Sequence, residues 1–537
     1  MRARFPVKLA AAAAVTALLA TASACASDEG GGGDPEAGAG GTLRAFLSEP
    51  DSLVPSGAND SESNQVMTEI YRGLTKNDLE GSVEMAVAES IESEDNITWN
   101  VQLQEGFTFT NGEPVDADAF IRGWNYTAYG PNAQDGAGFM ERIAGFEEVQ
   151  ADPPESEELA GLTKVDDYSF TVELSAPFAG FPQVVAYQSF MPLAEECLAD
   201  IPACNEMPIS NGPYMLASPW EHDVQVPLVK NPDYIGDDPG FADEIIFRIF
   251  ESVEAAYASF QGGEVDVIDQ IPAERLAEAE AQYADGIFQT ANNSLTYLGI
   301  ADYDERFDDV RVRQAFSLAI DRQAIIDAAL GGTQRVATGW VSPLFEGYRE
   351  GVCTVCEYDP ERAAQLLDEA GGWEGELTLM ANAGADHETW LQALGDQLRQ
   401  NLGIEYTIDV NQQFAEYLAT LENQEAVGPF RLGWGPDYAL METYMTHLYA
   451  TGQSSNYFYW SNQQFDDLLA QGDAAPTVED AIGIYQQAEE ILNEEMVSIP
   501  LWWGTQNVLY NPDVVAELGF SPIDYEDYGE TQMVTGG

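Results

Sequence analysis

Apolar residues in this chain switch repeatedly between a period of two and a period near three to four, so strands and helices follow one another along most of its length. Residues 41–46 read as a first strand, and Glu49-Pro50-Asp51-Ser52-Leu53-Val54-Pro55 turns the chain. From about Ser63 the spacing of Val66, Met67, Ile70 and Leu74 predicts a helix with one apolar side. Residues 98–103 and 168–174 alternate and predict half-buried strands. Between them, residues 107–118 predict a strand, a turn at Asn111-Gly112 and a capped start to a helix that carries Phe120 and Trp124. Residues 247–250 predict a strand, 255–260 a helix and 297–300 a short strand. Residues 309–322 predict one helix, with Val312, Ala315, Phe316, Ala319 and Ile320 on its apolar face and Asp308 or Asp309 as cap. Its three arginines predict an ion-paired structural helix. Near the end, Thr477-Val478-Glu479-Asp480 resembles a capping box before a helix that buries Ala481, Ile484, Tyr485, Ala488, Ile491 and Leu492. Ile499-Pro500-Leu501-Trp502-Trp503 then reads as a buried strand, and no internal repeat is visible.

Length and charge narrow this picture. At 537 residues the chain is too long for one ordinary core, and about two or three packed units are expected. Lys and Arg number 21 against 92 Asp and Glu, a net charge of −71. That balance excludes general nucleic-acid binding, which needs a basic face against phosphate. It also argues against docking on anionic lipid by charge alone. Self-repulsion of this size is relieved by salt, so a saline working environment is expected.

The first residues read as an address. Arg2, Arg4 and Lys8 precede an apolar run at 9–20, and Thr21-Ala22-Ser23-Ala24 supplies small residues before Cys25. Residues 1–24 are therefore expected to be a signal peptide, with an apolar run too short for a confident membrane span. Small residues before Cys25 resemble the lipobox of bacterial lipoproteins, although Ala22 stands where Leu is commoner; an ordinary secreted chain is the alternative. Residues 25–41, rich in Gly, Asp and Glu, read as a flexible tether. The remaining cysteines fall into two local pairs, Cys197 with Cys204 and Cys353 with Cys356, and disulfides suit an exported chain. Cys353-Thr354-Val355-Cys356 has two other readings, a zinc site and a redox site. Only three His are present to complete a zinc shell, and the motif precedes Asp359-Pro360 rather than following a strand into a helix, so a structural bridge is expected.

The stretch Phe430-Arg431-Leu432-Gly433-Trp434-Gly435-Pro436-Asp437-Tyr438 concentrates candidate chemistry. Its Gly and Pro residues predict a turning backbone that presents a cation, a flat ring and a carboxylate. Each has a bland alternative: Asp437 capping its own turn, Trp434 as a core ring, Arg431 in a surface ion pair. With Asn456-Tyr457 and Phe465-Asp466 beyond it, the stretch resembles the bacterial extracellular solute-binding proteins of family 5, the peptide- and nickel-binding receptors of ABC importers. The same family's patterns are matched by Phe109-Thr110-Asn111-Gly112-Glu113-Pro114, Asn211-Gly212-Pro213-Tyr214, Asn231-Pro232-Asp233-Tyr234, Gly263-Glu264-Val265-Asp266 and residues 309–322, and the likeness spans about 42–525. Arg72 and Asn211 depart from it, as does Ala439-Leu440-Met441-Glu442, where the family often has a Pro-containing turn.

The resemblance implies an α/β, two-lobe periplasmic-binding-protein-like fold of the large type II (cluster C) form, with an extra subdomain in the first lobe. On that basis lobe I is expected at 42–80, 207–290 and 500–537, the subdomain at 81–206 and lobe II at 291–499. It further implies that Asp437 takes a ligand ammonium group, that Trp434 packs on a ligand side chain and that Arg431 takes a ligand carboxylate. Tyr438, Asn293, Thr296 and Tyr457 are further candidate contacts, with Asn292, Ser294, Trp390, Tyr459 and Trp460 behind them. The expected function is capture of peptides between closing lobes and delivery to membrane permease subunits, with a lipid anchor at Cys25 on the outer face of the membrane, no cofactor, no metal and a monomeric state. An oligosaccharide is the alternative ligand. A secreted hydrolase is a further alternative, but the sequence has neither a Gly-x-Ser-x-Gly elbow nor a His-Glu-x-x-His helix, and His222, His387 and His447 are scattered.

Overall fold

The computed structural model describes residues 37–58, 60–383, 387–523 and 525–534. The signal segment, Cys25 and the tether up to residue 36 lie outside the described residues. The end of the expected tether is not free: Ala37–Gly38 pairs with Val534 and Met533 in a small sheet.

The molecule is organised on one 11-stranded mixed sheet. Its centre is a pair of antiparallel strands, Ile287–Gly299 and Ser498–Tyr510, each 13 residues long. The sequence reading placed only short strands here. Asn292-Asn293-Ser294, which precede the short strand expected at 297–300, form a bulge inside the longer one, a register shift between Ala291 and Leu295 with pairing resumed on both sides. Gly504 faces it, and a Cβ there would come within 2.2 Å of Asn292 Oδ1, so a larger residue would displace the Asn292 and Ser294 side chains. Below the bulge the pair joins Val267–Ile268 and Thr42–Leu47. Above it the pair joins Phe430–Trp434 and then Leu377–Met380. The two strands thus cross from one half of the molecule to the other.

Local chemistry explains most helix limits. Asp60 accepts from Ser63 N at 2.8 Å and starts Ser61–Ile70, and Asp116 caps Ala117–Ala128 in the same way. Thr98–Leu103 keeps the alternating burial that its sequence predicts. The single helix expected over 309–322 is two. Asp309 caps Val310–Leu318, and Asp321 accepts from Ala324 N at 3.0 Å to start Arg322–Ala329. Its arginines also differ from expectation. Arg311 pairs with Asp309 and Arg313 with Glu495, but Arg322 is buried against the carbonyls of Pro500 and Cys356 with no carboxylate among the described residues. Cys197 and Cys204 are at bonding distance, 1.88 Å between sulfurs, and so are Cys353 and Cys356 at 2.01 Å.

The largest core unites Trp99, Trp124 and Phe170 with Tyr297, Trp340 and Trp503. A second gathers Leu43, Tyr214, Phe247 and Tyr528. The 81–206 segment therefore packs on the half of the molecule that follows the crossing, and a buried ion cluster reinforces that contact. Arg142 lies 3.9 Å from the Phe178 ring centroid and reaches Glu442 at 2.9 Å and Asp473 at 3.0 Å. Burial pushes the Glu442 carboxyl up, but Arg142, followed by His447 and the hydroxyls around it, together more than offset this and leave it below its ordinary value. Asp473 is pushed up to about 6, by burial and then by Glu442. Most other ion pairs are solvent-facing, so the acid excess is answered mainly by solution ions. Raising NaCl from about 0.1 M to about 1 M shortens the Debye length from about 10 to about 3 Å, and thermal melting is expected to move upward across that range. A flat or falling melting temperature would remove the case for a saline environment.

Candidate functional site

Residues 430–434, expected to turn, form a strand instead, and the chain turns after Trp434. Leu298, Thr296 and Leu295 stand opposite Arg431, Gly433 and Trp434. On the other edge the Leu377–Met380 strand meets this one only at Phe430. Past Phe430 that edge carries no strand among the described residues. The Tyr417 hydroxyl donates to the Arg431 carbonyl at 3.0 Å. In an antiparallel ladder alternate residues turn both main-chain groups outward, so Gly433, two positions on, directs its amide and carbonyl to the same open edge. Gly433 is exposed.

Strand alternation puts Arg431 and Gly433 on one face and Trp434 on the other. Consistent with this, Arg431 Nη2 lies 3.3 Å from where a Gly433 Cβ would stand. The surface ion pair considered for Arg431 is absent: no carboxylate pairs with it among the described residues, and its Nε is buried without a partner. Burial lowers its pKa, with the Tyr417 and Tyr297 hydroxyls opposing. A half-buried cation without an acid, in a chain this rich in acids, is a ready anion site.

Trp434, Asp437 and Tyr438 line a cavity of about 220 Å³ together with His447 and, from the 81–206 segment, Phe139, Glu141 and Arg142. Trp434 stacks beside His447 with ring centroids 5.7 Å apart, and its buried Nε1 has no partner. Asp437 has no hydrogen bond or ion pair among the described residues, so it does not cap its turn. Burial pushes its carboxyl up to about 6, with His447 opposing. Tyr438 is buried and donates to Glu442 at 2.8 Å. It therefore ties the cavity wall to the Arg142 cluster.

The other candidates separate. Thr296 is half-buried opposite Gly433, on the Arg431 face. Asn293 is buried at the bulge, where its carbonyl accepts the Tyr444 hydroxyl. Asn292 Oδ1 accepts from Ser294 N at 3.0 Å, which shapes the bulge. Tyr457 is half-buried and does not line the cavity. Trp390 is core, 5.0 Å from Trp502. Tyr459 is exposed, and Trp460 packs on Phe465. Sequence reasoning missed His447, Phe139, Glu141 and Arg142. His447 follows Asp437 by ten positions and was within reach of inspection; the other three come from a distant segment with no local signal.

The fold and this site define a solute receptor, and residues 82–456 match the family described as bacterial extracellular solute-binding proteins, family 5. The chain belongs to that family. It is 26% identical over 503 residues to the dipeptide-binding protein DppE of Bacillus subtilis, covering 89% of each chain. It is 24% identical over 490 residues to the periplasmic oligopeptide-binding protein OppA of Escherichia coli, again covering 89% of each. Among solved structures, the unliganded open form of the periplasmic murein tripeptide-binding protein MppA superposes with a TM-score of 0.82 at 22% identity, covering 93% of this chain and 99% of that one. Haemophilus influenzae OppA in complex with RPPGFSPFR gives 0.72 at 22% identity, covering 92% and 99%. The two-lobe α/β fold expected from the sequence is the fold observed.

Proposed function

We propose that this protein is the receptor of an ABC importer, and that it captures peptides and hands them unaltered to membrane permease subunits. One observation carries the reading: the strand with the open edge at Gly433 also brings Arg431 and, just beyond its end, Asp437, and neither has an ion pair among the described residues. An extended peptide can add to that edge as a strand, with its ammonium on Asp437 and its carboxylate on Arg431. Its main chain lies in the plane of the sheet, so its two ends can address opposite faces. Relatives named for dipeptides and oligopeptides support the choice of ligand. Cys25 carries the lipid anchor that keeps a monomeric receptor on the outer face of the membrane, and the two cysteine pairs are disulfides.

In this reading the lobes are 42–80, 207–290 and 500–537 against 291–499, and they close about the bulge at Asn292–Ser294. The 81–206 segment is the extra subdomain. Mass spectrometry of the protein purified without denaturant is expected to release short peptides. Co-purified oligosaccharide, or a bound peptide returned cleaved, would overturn the reading.

The Asp437 carboxyl sets the pH dependence of capture. The ammonium needs its ionised form, and with a pKa of about 6 that form is lost as pH falls below it. Affinity for a tripeptide is expected to fall about tenfold between about pH 7.5 and about pH 5. Titration calorimetry across that range checks it, and an unchanged affinity would count against Asp437 as the anchor.

A further inference from the structure

The cavity beside Asp437 carries more information than the peptide reading uses. Its walls are aromatic. Trp434 and His447 line it from one part of the chain, and Phe139, whose ring lies 4.1 Å from that of Tyr187, lines it from the 81–206 segment. Its charge is one-sided. Asp437 and Glu141 both line it, and neither has an ion pair among the described residues. The one cation in the lining, Arg142, is already matched by two carboxylates, Glu442 at 2.9 Å and Asp473 at 3.0 Å. A group that fills this space meets ring faces along its length and uncompensated negative charge around it.

We propose that the cavity selects peptides whose first residue is basic, with the α-ammonium on Asp437, the aliphatic stem between Trp434 and Phe139, and the side-chain cation facing Glu141. The inference rests on the peptide reading above and sharpens it. Lysine and arginine combine an apolar stem with a charged tip, which is the shape this cavity complements. Ring faces also attract a cation laid across them. An acidic first residue would bring a third carboxylate beside Asp437 and Glu141, where Arg142 is already matched and His447 alone faces the two acids present. Glu141 is a specificity-determining residue here, since it is exposed and its carboxylate has no ion pair among the described residues.

Titration calorimetry with Lys-Ala-Ala, norleucyl-Ala-Ala, Glu-Ala-Ala and Ala-Ala-Lys tests it. Lys-Ala-Ala is expected to bind about tenfold or more tightly than the norleucine peptide, which removes the charge and keeps the stem, with Glu-Ala-Ala weakest. Ala-Ala-Lys carries the same net charge as Lys-Ala-Ala and separates the cavity from the field of the whole acidic protein; it is expected to bind like the norleucine peptide. Glu141→Gln should narrow the gap between the lysine and norleucine peptides. Equal affinities for all four, or Ala-Ala-Lys matching Lys-Ala-Ala, overturn this inference and leave the peptide reading standing. If none of the four binds, both fall.

Discussion

Asp437→Asn is expected to weaken peptide binding by about 10- to 150-fold, the value of a charge-assisted hydrogen bond of about 1.5–3 kcal/mol. The variant should lose nothing in stability. In the fold the Asp437 carboxyl is pushed up to about 6 from an ordinary 3.8, so its ionisation opposes folding as pH rises through that value. Removing the charge removes that opposition, and at about pH 7.5 the variant should melt at the same temperature or higher. The two measurements separate the roles weighed for this residue. A carboxylate that capped its own turn would cost stability when replaced and leave affinity alone. Calorimetry and thermal melting of the same preparation decide between them, and unchanged affinity rejects Asp437 as the ammonium site.

Arg142→Ala is expected to cost about 3–5 kcal/mol, because it leaves Glu442 buried and unpaired. The Glu442 side chain has no exposed surface, and without Arg142 the Tyr438 hydroxyl and the neighbouring His447 offset its burial only in part. Burial then raises its pKa above the unfolded value, so the loss should grow as pH rises through the new pKa and shrink in acid. Chemical denaturation at about pH 5 and about pH 8 reads both the size and the sign. Arg142→Met combined with Glu442→Gln should recover much of the loss, since an uncharged pair of similar volume avoids the stranded Glu442 charge. Equal stability of wild type and Arg142→Ala at both pH values would show that the cluster contributes nothing to the packing of the 81–206 segment. Tyr438 joins this cluster to the ligand cavity, so weakened peptide binding is expected alongside.

Much of this was legible in the sequence, for reasons that differ by element. Two helix starts were readable because Asp116 and Thr477 use side chains to hold nearby amides, which is a local matter, while the start that Asp60 caps was set two residues late. Thr98–Leu103 was readable because one of its faces is wet and the other dry. The helix over 309–322 was misjudged because Asp321 looks like an acid on a polar face until it is seen to cap a second helix. The full length of the crossing strands was not legible because Asn292-Asn293-Ser294 interrupt the ladder in a bulge opposite Gly504, more than two hundred residues away. Trp434 and Asp437 were found through a resemblance carried by their own neighbours. Phe139, Glu141 and Arg142 were not, because what brings them to the cavity is the packing of one segment on another.

Gly299 and Ser498 stand opposite each other in the crossing strands. Everything between them, residues 300–497, therefore leaves and re-enters the framework through a single doorway. A segment whose ends are neighbours can be exchanged as a cassette without re-threading what remains. Grafting this cassette between relatives would carry across Arg431 and Asp437, the two groups proposed to hold the ends of the peptide, while the framework beneath it kept its own fold. New ligand ranges could thus arise by swapping whole inserts rather than by altering a pocket one side chain at a time.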